Sequence, residues 1–154
     1  MKILVFSDSH GAVEPMARAV NAQKPDAVFH LGDCVPDAHA LHRQFPDLPL
    51  YAVAGNNDWG SDLPLTRCVT LEGVTFFLTH GHRHGVYQGC LRLSLAAREA
   101  GASVALYGHT HQQDCQQLED GAWVLNPGAC GRFHPTFGVI EIANGRVTCY
   151  NATV

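Results

Sequence analysis

The chain has 154 residues, of which 46% are hydrophobic and 16% are charged, and its mean hydropathy is -0.04. A chain of this length buries roughly 70% of the surface of its unfolded form, so the composition predicts one globular domain over residues 1–154 and excludes disordered, collagen-like and coiled-coil proteins. The formal net charge is -4 and no basic run is long, which argues against long nucleic acids as partners.

The first half of the chain alternates apolar runs with helical patterns. Nearly continuous apolar runs predict strands at residues 2–7, 27–31 and 50–53, and spacings of three and four predict helices at 13–22 and 37–45. Strands that alternate with helices in this way form a parallel sheet with right-handed connections. We therefore expect a parallel sheet at the start of the fold.

The second half predicts hairpins and one further helix. The turn pairs Glu72-Gly73, Asp120-Gly121 and Asn144-Gly145 stand between short apolar runs. We expect a helix at residues 91–100 and strands at 67–71, 74–79, 104–107, 115–119, 122–126, 137–142 and 146–150. This order fits one mixed sheet, or two packed sheets flanked by helices.

The compartment is predicted from two negative features of the sequence. The opening apolar run, residues 3–6, is too short for a signal peptide, and no stretch approaches the roughly 20 apolar residues of a membrane helix. We therefore expect a cytoplasmic protein with no membrane partner. The six cysteines are scattered without a C-x-x-C pair, so we expect free thiols that are mostly buried.

Polar segments follow five of the predicted strands at their carboxyl ends: D8-S-H10-G, G32-D33, G55-N-N-D58, T79-H80-G-H82 and G108-H-T-H111. The crevice beyond the carboxyl ends of strands is where α/β sheets bind ligands. Taken alone, D8-S-H10, G32-D33 and G55-N-N-D58 are each more often ordinary turns or helix caps, and H109-T-H111 is as typical of a surface loop as of a metal site. All five in one short domain predict a shared site.

The side chains of these segments are typical of a transition-metal centre. They comprise two carboxylates, one carboxamide and four imidazoles: Asp8, His10, Asp33, Asn56, His80, His109 and His111. Such a set suits Mn, Fe, Zn or Co better than Ca, and it exceeds the ligands of one tetrahedral ion. Two ions about 3.5–4 Å apart, sharing a carboxylate, would hold both reacting oxygens of a phosphoryl displacement.

The order of the segments resembles the signature of the calcineurin-like metallophosphoesterase superfamily, D-x-H, G-D, G-N-H-[DE], H and G-H-x-H. The resemblance spans residues 8–111, and the later N126-P-G128 loop also fits. The small size and the L-T-H-G-H form of the fourth segment resemble the compact bacterial and archaeal phosphodiesterase branch, which includes the retromer scaffold subunit. The resemblance implies an α/β fold of two packed mixed β-sheets flanked by helices, a four-layer α/β/β/α sandwich.

The resemblance also implies two divalent metal ions, with Mn expected and Ni, Fe, Zn or Co as alternatives. Asp33 would be the bridge between the ions. The remaining ligands would divide into one set of Asp8, His10 and His111 and a second set of Asn56, His80 and His109. Small members of this branch often form dimers or larger assemblies, so a homo-oligomer is expected.

One residue departs from the family pattern. Asn57 stands where many members have a histidine that protonates the leaving group, and an amide has no titratable proton to replace it. The acid would then be Asp58, His82, a metal-bound water or no group at all. Trp59, which follows directly, would either stack on a substrate base or pack locally. His30, inside a predicted strand, is more typical of a hydrogen-bonded core histidine than of a residue beside the metals.

These features predict a two-metal phosphoesterase that acts on a small phosphate ester, most naturally a phosphodiester. A hydroxide bridging the ions would attack phosphorus in line. Two divalent ions, two carboxylates and that hydroxide leave a charge of about +1, which matches a diester anion. The alternative is a metal-stabilised protein-interaction scaffold with little or no catalytic activity.

Overall fold

The computed structural model describes residues 1–154 and contains two five-stranded sheets. The strands of the first sheet are β1 (Lys2–Phe6), β2 (Ala27–His30), β3 (Leu50–Ala52), β9 (Thr136–Ala143) and β10 (Arg146–Thr153). Their order is β10-β9-β1-β2-β3. Strands β1, β2 and β3 are parallel, as predicted from their alternation with helices, whereas β9 joins β1 and β10 in antiparallel pairs.

The second sheet is also mixed. Its strands are β4 (Thr66–Leu71), β5 (Val74–Thr79), β6 (Val104–Leu106), β7 (Gln113–Gln117) and β8 (Trp123–Pro127). Their order is β4-β5-β6-β8-β7, with parallel pairs β5-β6 and β6-β8 and antiparallel pairs at both edges. The hairpin predicted at Glu72-Gly73 joins β4 to β5.

Three helices lie outside the sheets. They are α1 (Val13–Gln23), α2 (Val35–Gln44) and α3 (Leu91–Glu99), and a short 3-10 helix at Val86–Gln88 precedes α3. Each α-helix has apolar residues on one face and polar residues on the other, as expected for helices that cover a sheet. None of these helices has the length and apolar character needed to cross a membrane.

The helices and sheets form four layers, and an apolar cluster lies at each of the three interfaces between them. Between the sheets, Phe29 and Phe76 belong to a cluster of 16 buried residues, and their ring centroids lie 5.2 Å apart. On the other face of the first sheet, Met16 of α1 and Leu41 of α2 are buried in one cluster. On the other face of the second sheet, Leu93 of α3 is buried in the third cluster. The predicted α/β/β/α sandwich is confirmed.

Element boundaries differ from the prediction where distant residues decide them. Strand β7 begins and ends earlier than predicted because pairing with β8 determines its register, while its own sequence QDCQQ has little apolar alternation. Helix α2 begins at Val35, earlier than predicted, because the carboxylate of Asp58 accepts the Val35 N–H at 2.7 Å. The 3-10 helix Val86–Gln88 carries no periodic pattern and was not predicted.

All six cysteines are free thiols, but their burial differs from the expectation. Only Cys130 and Cys149 are buried, and Cys68 is exposed, so the prediction of mostly buried cysteines was wrong. Strand β4 lies at the edge of its sheet and alternates between packed and solvent-facing positions, which leaves Cys68 outside. Burial raises the pKa of the Cys130 thiol to about 12, which makes that thiol unreactive.

Candidate metal centre

The loops after the strands hold an uncommon backbone conformation. Five of the seven predicted ligands have a positive φ: Asp8 (54°), His10 (45°), Asp33 (55°), His109 (68°) and His111 (60°). Left-handed backbone is disfavoured for residues with a Cβ and costs of order 1–3 kcal/mol per residue. Such strain is typical of functional sites, where the surrounding packing over-determines the loop conformation.

Two close approaches of the backbone require glycine. A Cβ on Gly108 would overlap the Ser7 hydroxyl and would lie 2.8 Å from Asp8 Oδ2. A Cβ on Gly32 would overlap the backbone of Gly55. These glycines let the loops that follow β1 and β6, and those that follow β2 and β3, approach each other closely.

Asp8 is fully buried at the centre of the site. Its Oδ2 accepts hydrogen bonds from the Ser7 hydroxyl at 2.6 Å and from the His109 N–H at 3.1 Å, whereas its Oδ1 has no hydrogen-bond partner. Three imidazole Nε2 atoms lie near Oδ1: that of His111 at 3.1 Å, that of His80 at 3.9 Å and that of His10 at 4.0 Å. A buried carboxylate oxygen without a partner is unfavourable, so this position favours a bound cation.

A backbone carbonyl determines the tautomer of His80. Its Nδ1 lies 2.9 Å from the carbonyl oxygen of Leu31, which can only accept, so Nδ1 donates the ring proton there. The neutral ring then has its lone pair on Nε2, which is buried without a partner and lies 3.4 Å from Asp33 Oδ1. A backbone carbonyl that fixes the ring in this way is typical of a metal-ligating histidine.

The potential ligand atoms form two groups that share one carboxylate. Asp8, His10 and His111 form the first group, and Asp8, Asp33 and His80 form the second, with the ligand atoms of each group within 4.8 Å of one another. The residue common to both groups is Asp8, whereas the predicted bridge is Asp33. The bridging role of Asp33 stays a prediction.

The two remaining predicted ligands differ in their surroundings. The ring of His109 lies 5.0 Å from the ring of His80, between centroids, and burial lowers the pKa of His109. A neutral imidazole is the form that binds metals. Asn56 is exposed, in the loop after β3, and its role as a ligand stays a prediction.

Asn57 contacts Asp33 through two hydrogen bonds that the sequence did not predict. Its backbone N–H donates to Asp33 Oδ1 at 3.0 Å, and its side-chain Nδ2 donates to Asp33 Oδ2 at 2.6 Å. The departure from the family pattern therefore supplies an amide donor where a histidine is common. Its visible role is to orient the Asp33 carboxylate.

Asp58, the first predicted catalytic residue, is surrounded by backbone hydrogen-bond donors. Its two carboxylate oxygens accept four backbone N–H groups, those of Asp33, Cys34, Val35 and Gly55, at 2.7–2.9 Å. Burial alone would raise the pKa of Asp58, but these hydrogen bonds outweigh it and the pKa is lowered. The carboxylate therefore stays ionised at neutral pH and caps the start of α2, which is a structural role. Its role as a catalytic acid stays a prediction.

His82, the second predicted catalytic residue, lies beside the site. Its ring centroid is 5.6 Å from that of His80 and 6.2 Å from that of His109, and its Nδ1 is buried without a partner. Burial lowers the pKa of His82. Its imidazole is therefore neutral near pH 7, which makes it a poor proton donor for a leaving group.

A buried network beneath the site includes His30. Its Nδ1 accepts the N–H of Gly32 at 3.3 Å, so its Nε2 carries the proton and donates to Ser9 Oγ at 3.2 Å. Ser9 in turn donates to Asp37 Oδ2 at 2.7 Å. Burial lowers the pKa of His30 to about 4, although Asp37 opposes the shift. His30 is thus a hydrogen-bonded core histidine, and Asp37 is a supporting residue that the helical pattern did not reveal.

Asn126 and Tyr87 support the loop that contains His109. The side chain of Asn126, in the N-P-G segment, donates to the Gly108 carbonyl and to Thr110 Oγ1, both at 3.0 Å. Tyr87 donates its hydroxyl proton to the His109 carbonyl at 3.2 Å, with its ring 5.0 Å from the imidazole. Tyr87 was missed because it lies in the unpredicted 3-10 helix.

Comparisons with known proteins agree with this site. Residues 1–145 match the calcineurin-like phosphoesterase superfamily domain. A phosphodiesterase of Methanocaldococcus jannaschii is 29% identical over 163 residues, which cover 92% of this chain and 93% of the relative.

Two solved structures show the same fold. A predicted phosphoesterase from Streptococcus pneumoniae TIGR4 is 28% identical, with a TM-score of 0.81 over 99% of this chain and 88% of that chain. Vps29 of Entamoeba histolytica in complex with Zn²⁺ is 21% identical, with a TM-score of 0.79 over 99% of both chains, and this likeness concerns the fold alone. Because the family match extends over nearly the whole chain, the protein belongs to the calcineurin-like phosphoesterase superfamily.

Proposed function

We propose that the protein is a two-metal phosphodiesterase. The observation that carries the proposal is a pair of buried, unpartnered ligand atoms, Asp8 Oδ1 and His80 Nε2, which lie 3.9 Å apart. Their other polar atoms are already bonded within the protein, to Ser7 and the His109 N–H on one side and to the Leu31 carbonyl on the other. A cation bound between these two atoms would satisfy both of them at once in a buried site.

The residues present fit two divalent ions. Asp8 belongs to both ligand groups, while His10 and His111 complete one and Asp33 and His80 the other. His109 and Asn56 are the further proposed ligands. Two bound ions would activate water as a nucleophile and offset negative charge on the phosphoryl group. Mn²⁺ is the first metal to test, with Ni, Fe, Zn and Co as alternatives.

The acid–base groups of the site favour a phosphodiester with a good leaving group. Asp58 is ionised and occupied by backbone donors, and His82 is neutral near pH 7, so neither supplies a proton readily. Without a positioned acid, an alkoxide leaves roughly 10²–10⁴-fold more slowly. The M. jannaschii relative is named a phosphodiesterase, which supports this substrate class.

The second candidate function is a metal-stabilised scaffold. The likeness to the Vps29 fold suggests it, and α3 exposes two leucines, Leu91 at 71% and Leu95 at 49%, that a partner would cover. In this case the metals would hold the loops together without turnover.

Hydrolysis of bis-p-nitrophenyl phosphate by Mn²⁺-reconstituted protein, with and without a chelator, tests the proposal. Asp8→Asn and His80→Gln should lower both bound metal and activity, by roughly 100-fold or more. Asp47→Asn, an equal charge change on an exposed carboxylate that does not line the site, is the control. Two bound metals with no chelator-sensitive hydrolysis would contradict the enzyme and favour the scaffold.

A further inference from the structure

A cavity of about 820 Å³ opens beside the metal centre. It lies between the first turn of α2 and the loop after β3, and we call it the Trp59 cavity. Its lining includes His10, Pro36, His39, Asn57, Trp59 and Leu63. His10 belongs to a metal-ligand group and Asn57 bonds Asp33, so the cavity is continuous with the proposed reaction site.

The indole of Trp59 is part of the apolar lining of this cavity. Trp59 is 91% exposed, so it does not pack against its own loop, which excludes one of the two roles considered for it. A free indole face beside a reaction site is a stacking surface for planar groups. Pro36 and Leu63 add apolar surface to the same cavity.

The charged residues of the lining disfavour a phosphate group in this cavity, in addition to the phosphate at the metals. No lysine or arginine lines the cavity, whereas the carboxyl groups of Asp58 and Asp62 do. The N–H groups at the start of α2 already bond Asp58, so they do not offer an anion site. An occupant that meets these walls carries no second negative charge, and the indole favours a planar group.

We propose that the Trp59 cavity is the subsite for an aromatic ester group of the substrate, an aryl ring or a nucleobase, stacked on Trp59. This inference rests on the proposed phosphodiesterase function, because the phosphorus must lie at the metals for an ester group to reach the cavity. The volume is within the usual range for sites that bury a small organic ligand.

Competition kinetics with three phosphodiesters test the subsite. Diphenyl phosphate offers an aryl ring, thymidine 5′-methyl phosphate offers a nucleobase and dimethyl phosphate offers neither. Against bis-p-nitrophenyl phosphate hydrolysis by the Mn²⁺-loaded protein, at least one ring-bearing diester should bind about tenfold or more tightly than dimethyl phosphate. The ring-bearing diester whose affinity depends more on Trp59 shows whether the subsite takes an aryl ring or a nucleobase.

Variants assign that preference to Trp59. Trp59→Ala should remove the preference, and Trp59→Phe should retain most of it. Tyr150→Ala is the matched control, because it removes a partly exposed ring from β10, at the opposite edge of the sheet from β3. A ring preference that changes less than about twofold in Trp59→Ala would overturn the subsite.

A fluorescence titration separates this inference from the proposed function. Stacking should quench Trp59 emission in the metal-loaded protein without any turnover, and Trp59→Ala should lose the quenched component. Quenching by a ring-bearing diester but not by dimethyl phosphate would uphold the subsite even if no diester is hydrolysed. Hydrolysis without ring-selective quenching would overturn the subsite and leave the phosphodiesterase standing.

Discussion

Asn57 binds both oxygens of Asp33, with its backbone N–H 3.0 Å from Oδ1 and its side-chain Nδ2 2.6 Å from Oδ2. Asp33 Oδ1 also faces the free Nε2 of His80 at 3.4 Å. The amide therefore holds the carboxylate in the orientation that a metal between Asp33 and His80 requires. Loss of an outer partner of this kind typically lowers metal affinity or activity by about 10–100-fold.

The first prediction concerns this contact. Asn57→Ala should weaken binding of at least one metal by about 10–100-fold, because Asp33 Oδ2 loses its side-chain donor. Calorimetric titration with metal measures the affinity. Asn57→Asp places a second negative charge beside Asp33 and should be at least as harmful, and unchanged affinity in both variants would show that the contact does not position Asp33.

The second prediction concerns the missing acid. Turnover of aryl phosphodiesters should depend steeply on the pKa of the leaving group, because the lowered pKa values of Asp58 and His82 make both residues poor proton donors near neutral pH. Kinetics across substituted phenyl esters measure the slope, and His82→Ala should leave it unchanged. A shallow slope that becomes steep in His82→Ala would identify His82 as the acid after all.

The third prediction assigns Asp58 a structural role. Asp58→Ala should lower the free energy of unfolding by about 2–5 kcal/mol, because four backbone donors in the Asp33–Val35 segment and at Gly55 lose their acceptor. Urea unfolding of the metal-free protein measures the loss. Asp62→Ala, in the same loop but without a hydrogen-bond partner, is the control. Equal stability of the two variants would refute this role.

The fourth prediction uses the pH dependence of His30, whose pKa is lowered from 6.5 to about 4 in the folded protein. Between about pH 4 and pH 6.5, His30 is therefore protonated in the unfolded chain but not in the folded chain. Stability from this group is complete above pH 6.5 and is lost as the pH falls from about 6.5 to 4, by about 3 kcal/mol in total.

Urea unfolding of the chelator-treated protein at pH 7 and pH 4.5 tests the fourth prediction against His30→Gln. The variant lacks the titrating ring, so its stability should change less between the two pH values. The difference between the two proteins in how the free energy of unfolding changes with pH isolates His30 from the other histidines. Parallel slopes would mean that His30 binds its proton in the folded state.

The fifth prediction concerns the close approach of the loops that follow β1 and β6. Gly108→Ala should destabilise the protein by about 1–3 kcal/mol and weaken metal binding, because its Cβ would collide with Ser7 and Asp8. Gly131→Ala is the matched control, since its Cβ would lie 4.0 Å from the Asp8 carbonyl. Thermal unfolding and metal titration measure both effects, and tolerance of alanine at residue 108 would disprove the steric argument.

The sequence by itself determined the kinds of element and the chemistry of the site. Alternation of apolar runs with helical spacing predicted the parallel strands β1, β2 and β3, and the turn at Glu72-Gly73 predicted a hairpin. These signals are local, since periodicity and turn preferences depend on neighbouring residues. The strand-end segments were visible for the same reason, because each follows its strand directly in the chain.

Only the tertiary structure decided what each polar residue of the site does. Asp58 and His82 look alike in sequence as titratable residues near ligands, yet one caps α2 through four backbone donors and the other lies beside imidazoles with a lowered pKa. Asn57 became a partner of Asp33, 24 positions away. Such contacts join residues far apart in the chain, and the pKa of a group depends on burial and neighbouring charge, neither of which a local pattern contains.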